Sequence, residues 1–169
     1  IIDGTCACGN THIGRSDAGK HPVISDWNQG STGDLTQLAE WFGNDSTNNV
    51  GINCKESGLV VIDIDPRNGG DKSFLELESW LSGAIPPTVT TLTGEYITRG
   101  VKARGRHLYF RADLRTQFFK DLSKQGFKGI DIKWNGYVLI PPSKHASGVH
   151  YEWANGRSPA EIEIAELTP

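Results

Sequence analysis

The run Leu59-Val60-Val61-Ile62-Asp63-Ile64-Asp65-Pro66 constrains this chain more than any other stretch. Its β-branched content and length predict a buried strand, and Pro66-Arg67-Asn68-Gly69-Gly70 directly after it predicts a loop. Strand side chains alternate, so Asp63 and Asp65 share one face at a separation of about 6.5 to 7 Å, while Ile62 and Ile64 take the other. Two ionised carboxylates at the end of a buried strand repel each other and lose hydration unless a cation compensates them. The pair therefore reads as a seat for one or two hard divalent cations, in preference to two solvated acids.

A chain of 169 residues is long enough for one domain with a substantial core, and one unit spanning 1–169 is expected. No apolar stretch approaches the roughly 20 residues that cross a bilayer, so no membrane association is expected. The chain opens on Ile1-Ile2 and contains no methionine, which suggests a piece of a longer polypeptide. Its net charge of −3 gives no global attraction to polyanions, so any such contact needs a local basic patch. Three cysteines, two of them one residue apart, do not suit a disulfide framework and suggest a reducing, cytoplasmic setting.

From Ile1 to Asn28 the residues show little periodicity, as a loop-built element would. Cys6, Cys8, His12 and His21 supply four ligands that suit a closed, structural zinc site within segment 5–22. Asp34 then caps a short amphipathic helix that ends at Gly43. Asn49 to Asn53 is expected to form a hairpin with Leu59 to Ile64 through Lys55 to Gly58, and Gly70-Asp71 to start a helix running to Gly83.

Thr88 to Thr93 predicts a strand, followed by a loop from Gly94 to Gly105. That loop carries Arg99, Lys102 and Arg104, with Arg106 just beyond it, and is the local basic patch open to DNA phosphates. Arg106 to Arg111 predicts a strand with His107, Tyr109 and Arg111 on one face. Gly105 before it is a place where backbone can approach a ligand closely. A short helix is expected over Thr116 to Lys124. Ile130 to Trp134 then predicts a strand that sets a third carboxylate, Asp131, beside Lys133. Asn135-Gly136 predicts a tight hairpin into Tyr137 to Ile140. Ser143 to Gly148 reads as a polar loop able to hold an anion, Val149 to Trp153 as a strand, and Pro159 as the start of a final helix.

Val60 to Gly70, Gly105-Arg106-His107-Leu108-Tyr109-Phe110, Gly129-Ile130-Asp131-Ile132 and Gly136 to Ser143, in this order, resemble the bifunctional DNA primase-polymerase domain of the archaeo-eukaryotic primase superfamily. Members are typical of phage and plasmid replication proteins, and the Cys6 to Pro22 segment looks like the zinc-binding opening that some of them carry. The resemblance implies Mg2+ or Mn2+ ligands at Asp63, Asp65 and Asp131, and a triphosphate contact at His107. It implies further nucleotide contacts at Lys133 and Ser143.

Arg106 could add positive charge there, although a strict period of two points it away from His107. The implied substrates are (d)NTPs and a single-stranded DNA template with primer. A fused helicase or replication module is the expected neighbour in a full-length chain, and bacterial or host cytoplasm the expected location.

Two departures stand out. The family's tight Ser-Gly-Gly turn is replaced by the longer, basic Gly94 to Gly105. Lys133 also stands where the family usually has arginine, which keeps the charge and loses the bidentate fork. The expected fold is α+β: a mostly antiparallel central sheet with flanking helices, an RRM-like catalytic core, and a small N-terminal zinc-binding segment. The rival readings are a zinc-stabilised DNA-binding module without catalysis and a glycosyltransferase whose Asp-x-Asp pair binds manganese.

Overall fold

The computed structural model describes residues 6, 12, 17–23, 25–43, 46–81, 85–98, 100–111 and 122–167. Among them, strand β2 (Leu59–Ile64) is the centre of the architecture. It is flanked by β4 (Val101–Arg111) on one side and β5 (Ile130–Lys133) on the other, both antiparallel. The main sheet runs β5-β2-β4-β3-β7, with β3 at Thr90–Thr98 and β7 at Glu152–Trp153. The short β8 (Ala165–Glu166) lies parallel to β4, along the edge at Phe110 and Arg111 that β3 leaves free. A separate two-stranded sheet pairs β1 (Val50–Asn53) with β6 (Tyr137–Ile140).

β2 is apolar almost throughout because both of its faces are covered. Val60, Ile62 and Ile64 join Leu108, Phe110, Ile130 and Ile132 beneath Phe74 and Leu77 of α3 (Gly70–Trp80). Leu59 and Val61 join Tyr109, Val89, Cys54 and Val138 on the opposite face, where the β1–β6 sheet packs. Helix α2 (Leu35–Phe42) forms as its cap predicts, with the Asp34 carboxylate accepting from the Gln37 N–H at 2.8 Å. It buries no residue completely. Leu38, Trp41 and Phe42 instead face a cleft of about 500 Å³ shared with β1, β6 and the single turn α1 (Trp27–Gly30). No helix among the described residues is long and apolar enough to cross a membrane.

The expected antiparallel character holds, but several pairings differ. β1 does not form a hairpin with β2, and β5 does not form one with β6. Both edges of β2 are taken, by β4 and by β5, so the chain crosses between the small sheet and the main one at Cys54 to Gly58 and again at Trp134 to Gly136. The Cys54 N–H donates to the Gly136 carbonyl at 2.9 Å, where the two departures meet. Gly136 has no positive φ and Asn135-Gly136 forms a bend, so the primed hairpin turn is absent.

The Gly94 to Gly105 loop is a hairpin turning at Gly100, because β3 and β4 continue pairing to Thr98 and Val101. A register shift between Leu92 and Glu95 sets Thr93 and Gly94 against Gly105. The close approach that the structure shows at Gly105 is made by Thr93 Oγ1, which stands almost where a Cβ would.

The helix expected from Pro159 is replaced by turns over residues 158–162. Ile162 and Ile164 follow two residues apart, as extended chain requires for both to reach the core. Of the helix expected over Thr116 to Lys124, the described part is a 3-10 turn at Leu122–Gln125 closed by Gly126, and residues 112–121 lie outside the described set. α3 ends at Trp80, short of Gly83, which also lies outside it.

Where β2 ends, three backbones converge. The Asp65 N–H donates to the Gly129 carbonyl at 2.8 Å and the Gly70 N–H to the Asp65 carbonyl at 2.9 Å. A Cβ on Gly70 would stand 2.6 to 2.8 Å from three backbone atoms of Gly129 and Asp65, which cannot yield as a side-chain tip can. Gly70→Ala should therefore destabilise the fold by roughly 1 to 3 kcal/mol in urea unfolding. Gly136→Ala, with nothing within 4 Å, should leave stability nearly unchanged; equal effects would contradict this seam.

Candidate functional site

Register places the site. Asp63 stands directly opposite Asp131 on β5 and directly opposite His107 on β4, so the three share one face across neighbouring strands. Directly paired residues lie about 5 Å apart at Cβ, closer than two positions along one strand. Lys133 is two residues beyond Asp131 on the same face, and its Nζ sits 2.8 Å from Asp131 Oδ2 and 3.8 Å from Asp63 Oδ2. Burial alone would lower the Lys133 pKa, but the hydrogen bond to Asp131 and the charge of Asp63 outweigh it, so the ammonium is held above its usual range. A cation thus already bridges two of the three acids.

Asp65 has left the sheet by one residue. Its carboxylate accepts from the Arg67 backbone N–H at 2.9 Å, from the Arg67 guanidinium at 2.8 to 3.2 Å and from Asn68 Nδ2 at 3.1 Å. Arg67 in turn lies over the Tyr96 ring, 4.2 Å from its centroid. Asp65 therefore caps the turn Pro66–Asn68 and is paired to Arg67, and reaches a shared cation only by exchanging that partner.

His107 is buried, with Nε2 3.5 Å from Asp63 Oδ1, an ion-pair contact too long for a good hydrogen bond. Among the described residues its Nδ1 finds no hydrogen-bond partner. Burial pushes its pKa down and the nearby Lys20 and Lys133 add to this, while Asp63 opposes it. Behind the ring an aromatic arc continues through Tyr151 to His145, with centroids 6.1 and 5.8 Å apart. His145 accepts from the Ser147 N–H at 3.0 Å and meets the Tyr96 hydroxyl at 3.1 Å. Burial is the main cause that lowers its pKa, to about 4.

The other expected residues fall elsewhere. Arg106 pairs with Ile64 in register and points to the α3 face, where it meets Asp71 at 2.8 Å over the Phe74 ring. It is not beside His107, as strand parity requires. Ser143 is buried and braces β1: its Oγ accepts from the Val50 N–H at 2.8 Å and donates to the Val50 carbonyl at 3.2 Å. Its hydroxyl is engaged there and not turned to the acids. Lys102 pairs with Glu95 at 3.0 Å on the β3–β4 hairpin and remains exposed. Arg104 is bound to Glu152 and to the carbonyls of Thr93 and His150, so its charge is used within the fold. Arg99 lies outside the described residues.

Cys6, His12 and His21 converge, their candidate ligand atoms all within 4.8 Å of one another. Cys6 Sγ stands 3.4 Å from His21 Nε2, and His12 Nδ1 meets Asp17 at 3.2 Å, as an outer carboxylate would orient a ligand histidine. One sulfur and two imidazoles make three of the four donors a structural zinc site takes. Cys8, expected as the fourth, lies outside the described residues.

Sequence reasoning missed two cations. Arg67 was visible only as part of a loop, and Lys20 only as the residue between Gly19 and a candidate ligand. Lys20 is half-buried. Burial depresses its pKa, and Asp63 and Asp65 act on it in the opposite direction. The three carboxylates are thus met directly by Arg67 and Lys133.

A family model described as bifunctional DNA primase/polymerase, N-terminal, matches residues 7–167. No curated protein and no solved structure matches the chain.

The two buried histidines carry a pH signature. Both have depressed pKa values in the fold, so below about pH 6.5 the unfolded chain takes up protons that the native state refuses. The stability they allow is full above that pH and, for His145, is lost as pH falls toward about 4. Denaturant unfolding followed from pH 7 to pH 4.5 should show this decline, with a smaller decline in His145→Gln. An equally steep decline in the variant would assign it to other groups.

Proposed function

The chain belongs to the bifunctional DNA primase/polymerase N-terminal domain family, and from that membership we propose that it is a nucleotidyltransferase acting on DNA. The reaction is template-directed transfer of a nucleotide from a (d)NTP to a 3′-hydroxyl, with release of pyrophosphate. One observation carries the reading beyond family membership: Asp63 sits between Asp131 and His107 on a single sheet face, with an ammonium already held between the carboxylates.

The donor set fits hard divalent ions. Asp63 and Asp131 supply oxygens from adjacent strands, and Asp65 supplies more once Arg67 moves aside. Mg2+ or Mn2+ bound there supplies a more acidic 3′-hydroxyl and neutralisation of the departing pyrophosphate. The protein's own residues do the rest by position. Lys133, displaced from Asp131 and Asp63, keeps its positive charge and turns to the phosphates as a point charge. His107, neutral and fixed between β2 and the Tyr151 ring, offers a ring N–H to the triphosphate. These are electrostatic contributions, made by groups already in place before the reaction. Cys6, His12 and His21, with Cys8, hold zinc that orders a segment with little apolar core of its own.

Template and primer lie across the sheet face that carries the acids, and the β3–β4 hairpin contributes Lys102. Arg104 serves that surface indirectly, by tying β4 to Glu152.

Incorporation of labelled nucleotide on single-stranded DNA, with and without primer, tests the reading. Asp63→Ala and Asp131→Ala should each lower it by at least about 10²- to 10³-fold; incorporation that survives both substitutions would remove the acids from the chemistry. For the DNA surface, Lys102→Gln should weaken DNA binding and lower its salt slope by roughly one. An unchanged slope would move the strand off the hairpin.

A further inference from the structure

Past the main sheet the β3–β4 hairpin runs on by itself. Toward the tip, β4 pairs with β2 no further than Arg106, opposite Ile64, and β7 pairs with β3 only at Thr91 and Leu92. From Glu95 to Thr98 and from Val101 to Arg104 the two strands therefore pair only with each other among the described residues. The five residues from Arg106 back to Val101 carry this ribbon about 17 Å beyond the end of β2, the end at which Asp63 and Asp65 stand.

The base of the ribbon is tied down. The Arg104 guanidinium donates to the Thr93 carbonyl at 2.8 and 3.0 Å and also meets Glu152 and the His150 carbonyl. The Glu95 N–H donates to Ser147 Oγ at 3.2 Å, and the Tyr96 hydroxyl meets His145 Nε2 at 3.1 Å. Gly94 leaves room for the His145 ring, which lies where a side chain at that position would stand. The tip has no such covering: Ile97 is 75% exposed and Val101 66%.

Register sets these two on opposite faces. Ile97 pairs with Lys102 and shares its side. Val101 is six positions from His107 along β4, so strand alternation gives it the face of His107, Asp63 and Asp131. A narrow ribbon with an apolar residue on each face has both covered at once only between two surfaces of a partner. Charge selects that partner. From Glu95 to Arg104 the sequence holds three cations, Arg99, Lys102 and Arg104, against one acid, in a chain of net charge −3. Lys102 meets that acid, Glu95, at 3.0 Å and is still exposed. A local positive excess fits a polyanion, and single-stranded DNA offers both phosphates for Lys102 and stacked bases that an aliphatic side chain can enter.

We propose that the hairpin tip is a wedge that sets Val101 and Ile97 against the bases of single-stranded DNA where the strand approaches the acids. The inference rests on the reading of the chain as a nucleotidyltransferase acting on DNA, and adds base contact to the phosphate contact of Lys102.

The test is binding of a mixed-sequence single-stranded oligonucleotide and of an abasic strand of the same length, followed by fluorescence anisotropy over a range of salt. The proteins are the parent, the double variant Ile97→Thr/Val101→Thr, and Lys102→Gln. Threonine keeps the β-branched shape that suits a strand, so the thermal midpoint, measured alongside, should not move. The double variant should bind the oligonucleotide about tenfold more weakly, the scale of one aliphatic side chain left uncovered, with the salt slope of the parent. On the abasic strand it should match the parent. Lys102→Gln should instead lose affinity on both strands and lower the slope.

Unchanged affinity of the double variant, or an equal loss on the abasic strand, overturns the wedge. So does sedimentation velocity in which the parent dimerises and the double variant does not, since a second copy would then cover the tip. If the double variant has a lowered midpoint, Ile97→Thr and Val101→Thr are read singly by the same criteria. A parent that binds neither strand refutes the DNA reading itself. Binding weakened by Lys102→Gln but not by the double variant refutes this inference alone.

Discussion

The pairing of β2 with β4 and β5 at Asp63 is the constraint on which the rest of the structure depends. Every other residue of β2 is buried, so the strand cannot slip: a shift of one residue would turn Asp63 into the α3 core and Ile62 or Ile64 toward the acids. Fixed in that register, Asp63 brings Asp131 from one neighbour and His107 from the other to the same row. The glycine seam at Gly70 and Gly129 then holds the end of β2, the start of β5 and the start of α3 within backbone contact. The relation of Asp65 to Asp131 is set by main chain and not by loops.

Much of this row was legible in the sequence. The β-branched run, the aspartates two apart and the single-faced pattern of His107 and Tyr109 are local signals, and burial on both faces strengthens them. Helix α2 was legible for a similar reason, since cap and apolar period coincide, and α3 by its apolar period, for no side chain caps it. Strand partnership was not. Lys55 to Gly58 and Asn135-Gly136 look like hairpin turns, but which strands pair is decided by competition for the two edges of β2. The longer β4 and the acid-bearing β5 win that competition. The basic stretch after Thr93 misled for a related reason: its charges mark the solvent side of a long hairpin, where polar residues read as loop.

Single side chains show the same limit at finer scale. Arg106 and His107 are neighbours in sequence and opposites in space, and only strand parity separates them. Ser143 lies next to the small sheet, whose existence the expected hairpins concealed, so its brace on Val50 could not be foreseen. Lys20 stands in a segment without period, where nothing local distinguishes a half-buried lysine from one in solvent. Its placement depends on bonds to Cys6 and Asn49, residues 14 and 29 positions away.

The electrostatics of the site follow from the same crowding. Asp63, Asp65 and Asp131 crowd one end of the sheet, and the fold sets positive side chains against them at graded strength. Arg67 grips Asp65 with several hydrogen bonds, and Lys133 holds Asp131 with one. Under the proposed chemistry, Asp63, Asp65 and Asp131 would hold divalent ions that supply this neutralisation, and Arg67 and Lys133 would then be released from them. The phosphates of a nucleotide then meet positive groups that are already assembled, already partly dehydrated and no longer engaged. Charges that keep the acids together before substrate arrives are in that way the ones positioned to receive it.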